Sequence, residues 1–87
     1  MKVIMKPIEM IAWFKEDGIP KPLKYRITTS EGTKKVVSVD QVISTSEEKL
    51  TGNKMIVYTC QSTIGETQKI YELKYEISSC KWYLAKI

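Results

Sequence analysis

The sequence contains no histidine, only two cysteines and only four glycines among its 87 residues. Without histidine, neither Ser-His nor Cys-His nucleophilic catalysis is available. Two thiols cannot complete the tetrahedral shell of a zinc ion, so no metal site is expected. The scattered glycines form no phosphate-cradling loop. We therefore predict a protein that is not an enzyme and carries no cofactor.

Long hydrophobic runs are also absent. A transmembrane helix needs about 20 apolar residues, whereas the apolar runs here are only a few residues long. The segment from Met1 to Pro7 lacks the apolar region of a signal peptide. These absences predict a cytoplasmic protein with no membrane partner. In that compartment Cys60 and Cys80 are expected to be free, buried, small apolar residues, although they could pair if the strand of Cys60 lies beside the turn of Cys80.

The charge is mixed rather than segregated. Fourteen basic and ten acidic residues give a formal net charge of +4, and Arg26 is the only arginine. Acids and bases alternate along the chain, which is typical of a solvated surface. The net charge implies weak attraction to polyanions without specificity. The length corresponds to one domain, residues 1–87, which buries roughly 60–65% of its unfolded surface.

The C-terminal segment has the clearest period-two pattern. Apolar side chains recur at every second position from residue 71 and resume after a short turn at 78–80, whereas charged side chains occupy the alternate positions. Such alternation predicts two strands with one face on a core. The side chains expected inside are Tyr71, Leu73, Tyr75, Ile77, Trp82 and Leu84.

The N-terminal segment, residues 3–14, is apolar on both faces. Ile8 and Phe14 share one face, and Ile11 and Trp13 lie on the other. Either a second layer covers this strand, or Ile11 and Trp13 form an exposed patch. Residues 15–22 are predicted to be a loop, stiffened by its two prolines.

The middle of the chain predicts further hairpins. Residues 23–29 and 34–39 form the first, with Leu23, Tyr25 and Ile27 inward. Residues 42–50 are favoured as a polar edge strand, and one helical turn near 46–50 is the alternative. A turn at 51–53 and a strand at 54–62 follow. The predicted fold is all-β: an antiparallel meander of about six strands, curled into a small SH3-like barrel or a strongly bent sheet.

Two binding hypotheses follow from this fold. The first is a nucleic-acid site on a sheet face, formed by Trp13, Lys24, Arg26, Lys34 and Tyr83, because lysine, arginine and aromatic side chains can hold phosphates and stack on bases. The second is a protein-interaction or homodimer module, which would use the edge strand near 42–50 or an Ile11/Trp13 patch. Glu72 and Glu76 lie about 13 Å apart along one strand, too far for a glycosidase pair.

The ending of the sequence carries a resemblance to a family. Tyr71-Glu72-Leu73-Lys74-Tyr75, then Trp82-Tyr83-Leu84, together with Pro7-Ile8-Glu9 and Gly52-Asn53, resembles a family of small uncharacterised bacterial proteins. The resemblance implies an all-β domain with no assigned activity. Some similar proteins are encoded near error-prone DNA polymerases, which implies a DNA-linked role. No functional residue is carried over, because the shared pattern describes a core.

Overall fold

The computed structural model describes residues 1–87 and contains seven β-strands and no helix. The strands are β1 (Val3–Phe14), β2 (Pro20–Thr28), β3 (Lys34–Ser38), β4 (Gln41–Leu50), β5 (Asn53–Ile64), β6 (Thr67–Glu76) and β7 (Lys81–Lys86). The all-β class is confirmed, with seven strands instead of about six. The edge-strand prediction for 42–50 is confirmed, and the helical alternative is wrong. With no helix present, the structure offers no helical membrane span.

All seven strands belong to one antiparallel sheet in the order β3-β2-β1-β7-β6-β5-β4. Pairing of β1 with β7 joins the two ends of the chain, where Lys2 and Ile87 exchange backbone hydrogen bonds of 2.7 and 3.0 Å. The edge strands β3 and β4 are separated in the chain only by Val39 and Asp40. The sheet therefore curls until its edges approach, and the Asp40 N–H donates to the Gln61 carbonyl at 2.9 Å. The fold is the predicted bent form, a curled half-barrel.

The concave side of the sheet holds an aromatic core. Its buried side chains are Tyr25, Val37, Ile56, Tyr58, Cys60, Tyr71, Leu73, Tyr75, Trp82 and Leu84. The Trp82 ring lies 4.9 Å from Tyr75 and 5.3 Å from Tyr58, between ring centroids. The inward assignment of the β6 and β7 side chains is thus confirmed, except for Ile77, which lies in the β6–β7 turn and is 41% exposed.

Buried polar groups join β5 to the opposite part of the sheet. Ser62 is completely buried, and its hydroxyl donates to the Ser38 carbonyl at 2.6 Å and lies 2.5 Å from the Tyr71 hydroxyl. The Tyr58 hydroxyl donates to the carbonyl of Pro20. Because buried hydroxyls without partners are costly, these pairings favour one register across the seam of the curled sheet.

The start of β2 differs from the sequence prediction. Residues 20–22 were expected in a loop but pair with β1, with Ala12 opposite Pro22 and Phe14 opposite Pro20. Strand β3 pairs only with residues 24–28, so the missing proline N–H groups break no ladder bond there. The register shifts between Ile11 and Ala12, and this bulge leaves Leu23 exposed rather than inward.

Candidate nucleic-acid interface on the outer face

No second layer covers the outer face of β1. Ile11 is 61% exposed and Trp13 is 56% exposed, which decides between the two alternatives for this strand. In the β1–β2 ladder, Ile11 lies opposite Lys24 and Trp13 lies opposite Lys21. Side chains directly opposite each other in an antiparallel pair are about 5 Å apart at Cβ. Ile11 and Trp13 therefore each have a lysine beside them.

A third lysine approaches the indole from the loop that follows β1. The Lys15 ammonium lies 5.3 Å from the centroid of the Trp13 ring, a cation–π geometry. We call Ile11, Trp13, Lys15, Lys21 and Lys24 the Trp13 patch. None of its three lysines forms an ion pair. The patch thus combines an accessible aromatic ring with three uncompensated positive charges.

Next to the patch, Glu9 pairs with two further cations. Arg26 lies opposite Glu9 and donates two hydrogen bonds to its carboxylate, at 2.9 Å from Nε and 2.8 Å from Nη2. The Lys34 ammonium lies 3.6 Å from the same carboxylate. The hydrogen bond from Arg26 is the main reason that the pKa of Glu9 is lowered, so this carboxylate stays charged near neutral pH.

A shallow depression connects the patch with the Glu9 cluster. It measures about 460 Å³ and is lined by Ile11, Lys24, Arg26 and Val36, among others. Val36 lies opposite Arg26 on β3 and is 58% exposed. The outer face of β1, β2 and β3 therefore has a shallow apolar depression bordered by basic side chains.

The five predicted binding residues do not form one cluster. Trp13 and Lys24 lie in the patch, whereas Arg26 and Lys34 share its face but are paired with Glu9. Tyr83 lies opposite Pro7, six residues along β1 from Trp13, about 20 Å away at the rise of a strand. It is half-buried and separate from the patch.

Sequence reasoning missed Lys15, Lys21 and Glu9. Lys21 stands between Pro20 and Pro22 and was assigned to the connector, because prolines usually end a strand. A shorter loop at 15–19 would have placed Lys21 opposite Trp13. The sequence pattern identifies Glu9 only as a polar residue, whereas its pairing with Arg26 decides which cationic side chains of this face have no ion pair.

The two thiols of the chain differ in their surroundings. Both cysteines are free, as predicted. Cys60 is buried, but the expected burial of Cys80 is wrong, because Cys80 lies in the exposed β6–β7 turn. Burial raises the pKa of the Cys60 thiol to about 12, so it is protonated at neutral pH. No group of three or more Cys, Asp or Glu side chains is placed to hold a metal ion.

The fold and this outer face define a small curled β domain with a basic, aromatic surface. No protein-family model, curated protein or solved structure matches the chain.

Proposed function

We propose that this protein is a non-catalytic module that binds single-stranded nucleic acid on the outer face of β1 and β2. One observation carries the proposal: an exposed tryptophan ring has Lys15 over it and Lys21 opposite it, and Lys24 lies on the same face opposite Ile11, with none of the three lysines in an ion pair. The formal net charge of the whole chain, +4, would not by itself select any ligand.

The patch matches the two parts of a single strand. Trp13 presents a flat ring on which a base can stack, and such stacking contributes about 1–3 kcal/mol per base. Lys15, Lys21 and Lys24 lie on the same face as the ring, and each can contact a phosphate. Bases inside a duplex are already stacked on each other, so the indole adds binding energy only for an unpaired strand.

The Glu9 cluster limits the positive surface on one side. Arg26 and Lys34 share the outer face, yet their charge is directed at the Glu9 carboxylate. A nucleic-acid strand bound at the Trp13 patch can therefore contact three lysines that have no ion pair. Arg26 and Lys34, which are paired with Glu9, contribute less. This arrangement supports modest affinity with strong dependence on salt.

The experiment is a fluorescence-anisotropy titration of a labelled 12-mer of thymidine with the wild-type protein and two charge-matched triple variants. The first variant, K15Q/K21Q/K24Q, removes the patch charges. The second, K2Q/K49Q/K69Q, removes three exposed lysines that lie elsewhere and form no ion pair. Both lose the same net charge, so only position differs between them.

We expect the patch variant to lose most of the affinity and the control variant to stay within about twofold of wild type, since general attraction is screened beyond a Debye length of about 10 Å at 0.1 M salt. Trp13→Ala should weaken binding by about tenfold, the equivalent of one lost stacking contact. Equal losses in the two triple variants, or no binding at micromolar protein, would contradict the proposal.

A protein partner is the second candidate, and β4 is the observation that favours it. This edge strand pairs only with β5 over ten residues, so its other edge is free to accept an added strand. A homodimer through the Trp13 patch is less favoured, because a two-fold axis would bring the same lysines face to face. Light scattering separates the cases: a monomer without added nucleic acid argues against self-pairing through β4.

A further inference from the structure

The second edge of β1 opens into a fork. Strand β1 pairs with β7 only as far as Ile8 opposite Trp82, whereas residues 9–14 continue along β2 alone. The backbones of β1 and of the β6–β7 hairpin therefore diverge beyond Ile8. The inward side chains of β1 in this region face the concave side, opposite to the Trp13 patch.

An apolar cleft of about 690 Å³ occupies this fork. Eight of its ten lining residues are hydrophobic, among them Ile8, Met10, Ala12, Phe14, Tyr75 and Trp82. Its size lies within the range of about 300–1,000 Å³ that is usual for sites of small ligands.

The inward row of β1 is less covered than the core side chains of β6 and β7. Tyr71, Leu73 and Leu84 are at most 4% exposed, whereas Ile8 and Met10 are only half-buried. Phe14 is 54% exposed, although its ring contacts Tyr75 edge-on at 6.2 Å between centroids. The core side of β1 is therefore an apolar wall that the chain itself leaves open.

One positive charge stands at this cleft. Lys81 is its only charged lining residue and forms no ion pair. Glu76 lies opposite Lys81 in the β6–β7 ladder, but its carboxylate accepts hydrogen bonds from the Asn53 amide, at 2.8 Å, and from the Ser79 hydroxyl. The Lys81 ammonium therefore forms no close ion pair within the chain, and the Glu76 carboxylate acts on it only from beyond contact distance.

We propose that the cleft between β1 and the β6–β7 hairpin binds an amphiphilic monoanion, an apolar chain with one carboxylate, with the chain against Met10, Ala12 and Trp82 and the carboxylate on Lys81. Apolar lining selects the chain and a single cation selects the charge. This site is independent of the nucleic-acid patch, since it lies on the other face of β1.

The first test uses the unmodified protein and dodecanoate below its micellar concentration. Cys80 lines the cleft and is exposed, whereas Cys60 is buried and protonated, so a thiol reagent at pH 8 reports on Cys80 alone. We expect dodecanoate to bind one to one in calorimetry and to slow the reaction of Cys80 by about tenfold at saturation, because the bound chain excludes the reagent.

The second test varies the charge of the ligand and of the protein. Dodecanol and dodecyltrimethylammonium have the same chain without the anion, and both should bind about tenfold more weakly or worse. Lys81→Gln should weaken dodecanoate by about tenfold and leave dodecanol unchanged. Lys69→Gln is the matched control and should change neither affinity, because Lys69 is exposed, forms no ion pair and does not line the cleft.

Three results would overturn the proposal. They are the absence of saturable one-to-one binding, equal affinity for the anionic and cationic chains, and Cys80 reactivity that does not respond to dodecanoate. A stable dimer in light scattering with Cys80 already protected would also overturn it, since the cleft would then be filled by a second copy.

Discussion

At the scale of single residues, Ser62 is a buried polar side chain whose hydroxyl joins distant parts of the chain. It is completely buried on β5 and satisfies two groups from elsewhere in the chain, the carbonyl of Ser38 and the hydroxyl of Tyr71. The Tyr71 ring also packs edge-on against Tyr25, at 6.0 Å between ring centroids. Removal of the Ser62 hydroxyl would leave the buried Tyr71 hydroxyl and the Ser38 carbonyl without this partner.

We therefore expect Ser62→Ala to lower the free energy of unfolding by about 1–3 kcal/mol in urea denaturation. Ser46→Ala is the control, since Ser46 is exposed on β4 and makes no side-chain hydrogen bond within the chain. If both variants are equally stable, the Ser62 hydroxyl does not hold the seam of the sheet as described.

Glu9 is the residue that sets the limit of the positive surface. Its carboxylate forms ion pairs with Arg26 and Lys34. Because the pKa of Glu9 is lowered, the carboxylate stays charged and the pairs stay intact at every pH above that pKa. The sign is that of a carboxylate with a depressed pKa: its stabilising contribution is present at neutral pH and is lost as the pH falls through the lowered pKa.

Glu9→Gln should release both cations and increase affinity for single-stranded DNA. The dependence of log Kd on log salt should steepen by up to about 1.4, which is 0.7 for each of two additional phosphate contacts. Glu66→Gln, which changes the same charge in the exposed β5–β6 turn, is the control and should have no such effect. A Glu9→Gln variant that behaves like Glu66→Gln would show that Arg26 and Lys34 do not face the ligand.

At the scale of elements, the β4–β5 hairpin contains a strained turn. Thr51 and Gly52 form its two-residue loop between Leu50 and Asn53, and their φ angles are +51° and +81°. Both central residues of such a turn need positive φ, which glycine adopts freely and a β-branched residue does not. Thr51 therefore occupies a position better suited to asparagine.

Thr51→Asn is expected to raise the free energy of unfolding by about 1 kcal/mol, by removal of the cost of a β-branched residue in the left-handed region. Thermal or urea denaturation measures it. Thr45→Asn, within β4 of the same hairpin, should give no gain, because that position is extended. An unchanged or lower stability for Thr51→Asn would mean that the turn is not of this type.

The elements differ in how far the sequence alone predicts them. Strands β6 and β7 were predictable because one of their faces is charged and the other apolar, so alternation alone orients Tyr71 and Trp82. Strand β1 was not, because both faces are apolar and the sequence cannot show whether another layer covers Trp13. The bulge at Ile11–Ala12 was also hidden, since it depends on pairing with β2.

The same reasoning applies to the candidate site. Trp13 and Lys24 could be selected by residue type and parity, and the structure brings them to one face. Lys21 could not be selected in this way, because its proline neighbours favour a loop. In the structure, β2 tolerates these prolines because β3 pairs only with residues 24–28 and leaves the edge of residues 20–22 unpaired. The neutralising role of Glu9 depends on its register with Arg26, which composition does not contain.

At the scale of the whole molecule, the curl of the sheet separates two surfaces. The chain ends meet where β1 pairs with β7, and the two edge strands meet at Val39 and Asp40. One face of β1 then looks outward with Trp13, and the other looks into the open cleft with Met10. Apolar side chains thus remain exposed on both faces of β1, with Trp13 on one face and Phe14 on the other.

The central claim is that the lysines of the Trp13 patch bind the phosphates of a single strand. The measurement is the salt dependence of binding of the thymidine 12-mer, from about 20 to 200 mM salt. Three phosphate contacts at about 0.7 each predict a slope near 2 for log Kd against log salt in the wild type, and a much smaller slope in K15Q/K21Q/K24Q. A flat salt profile, or the same slope in both proteins, would contradict the claim.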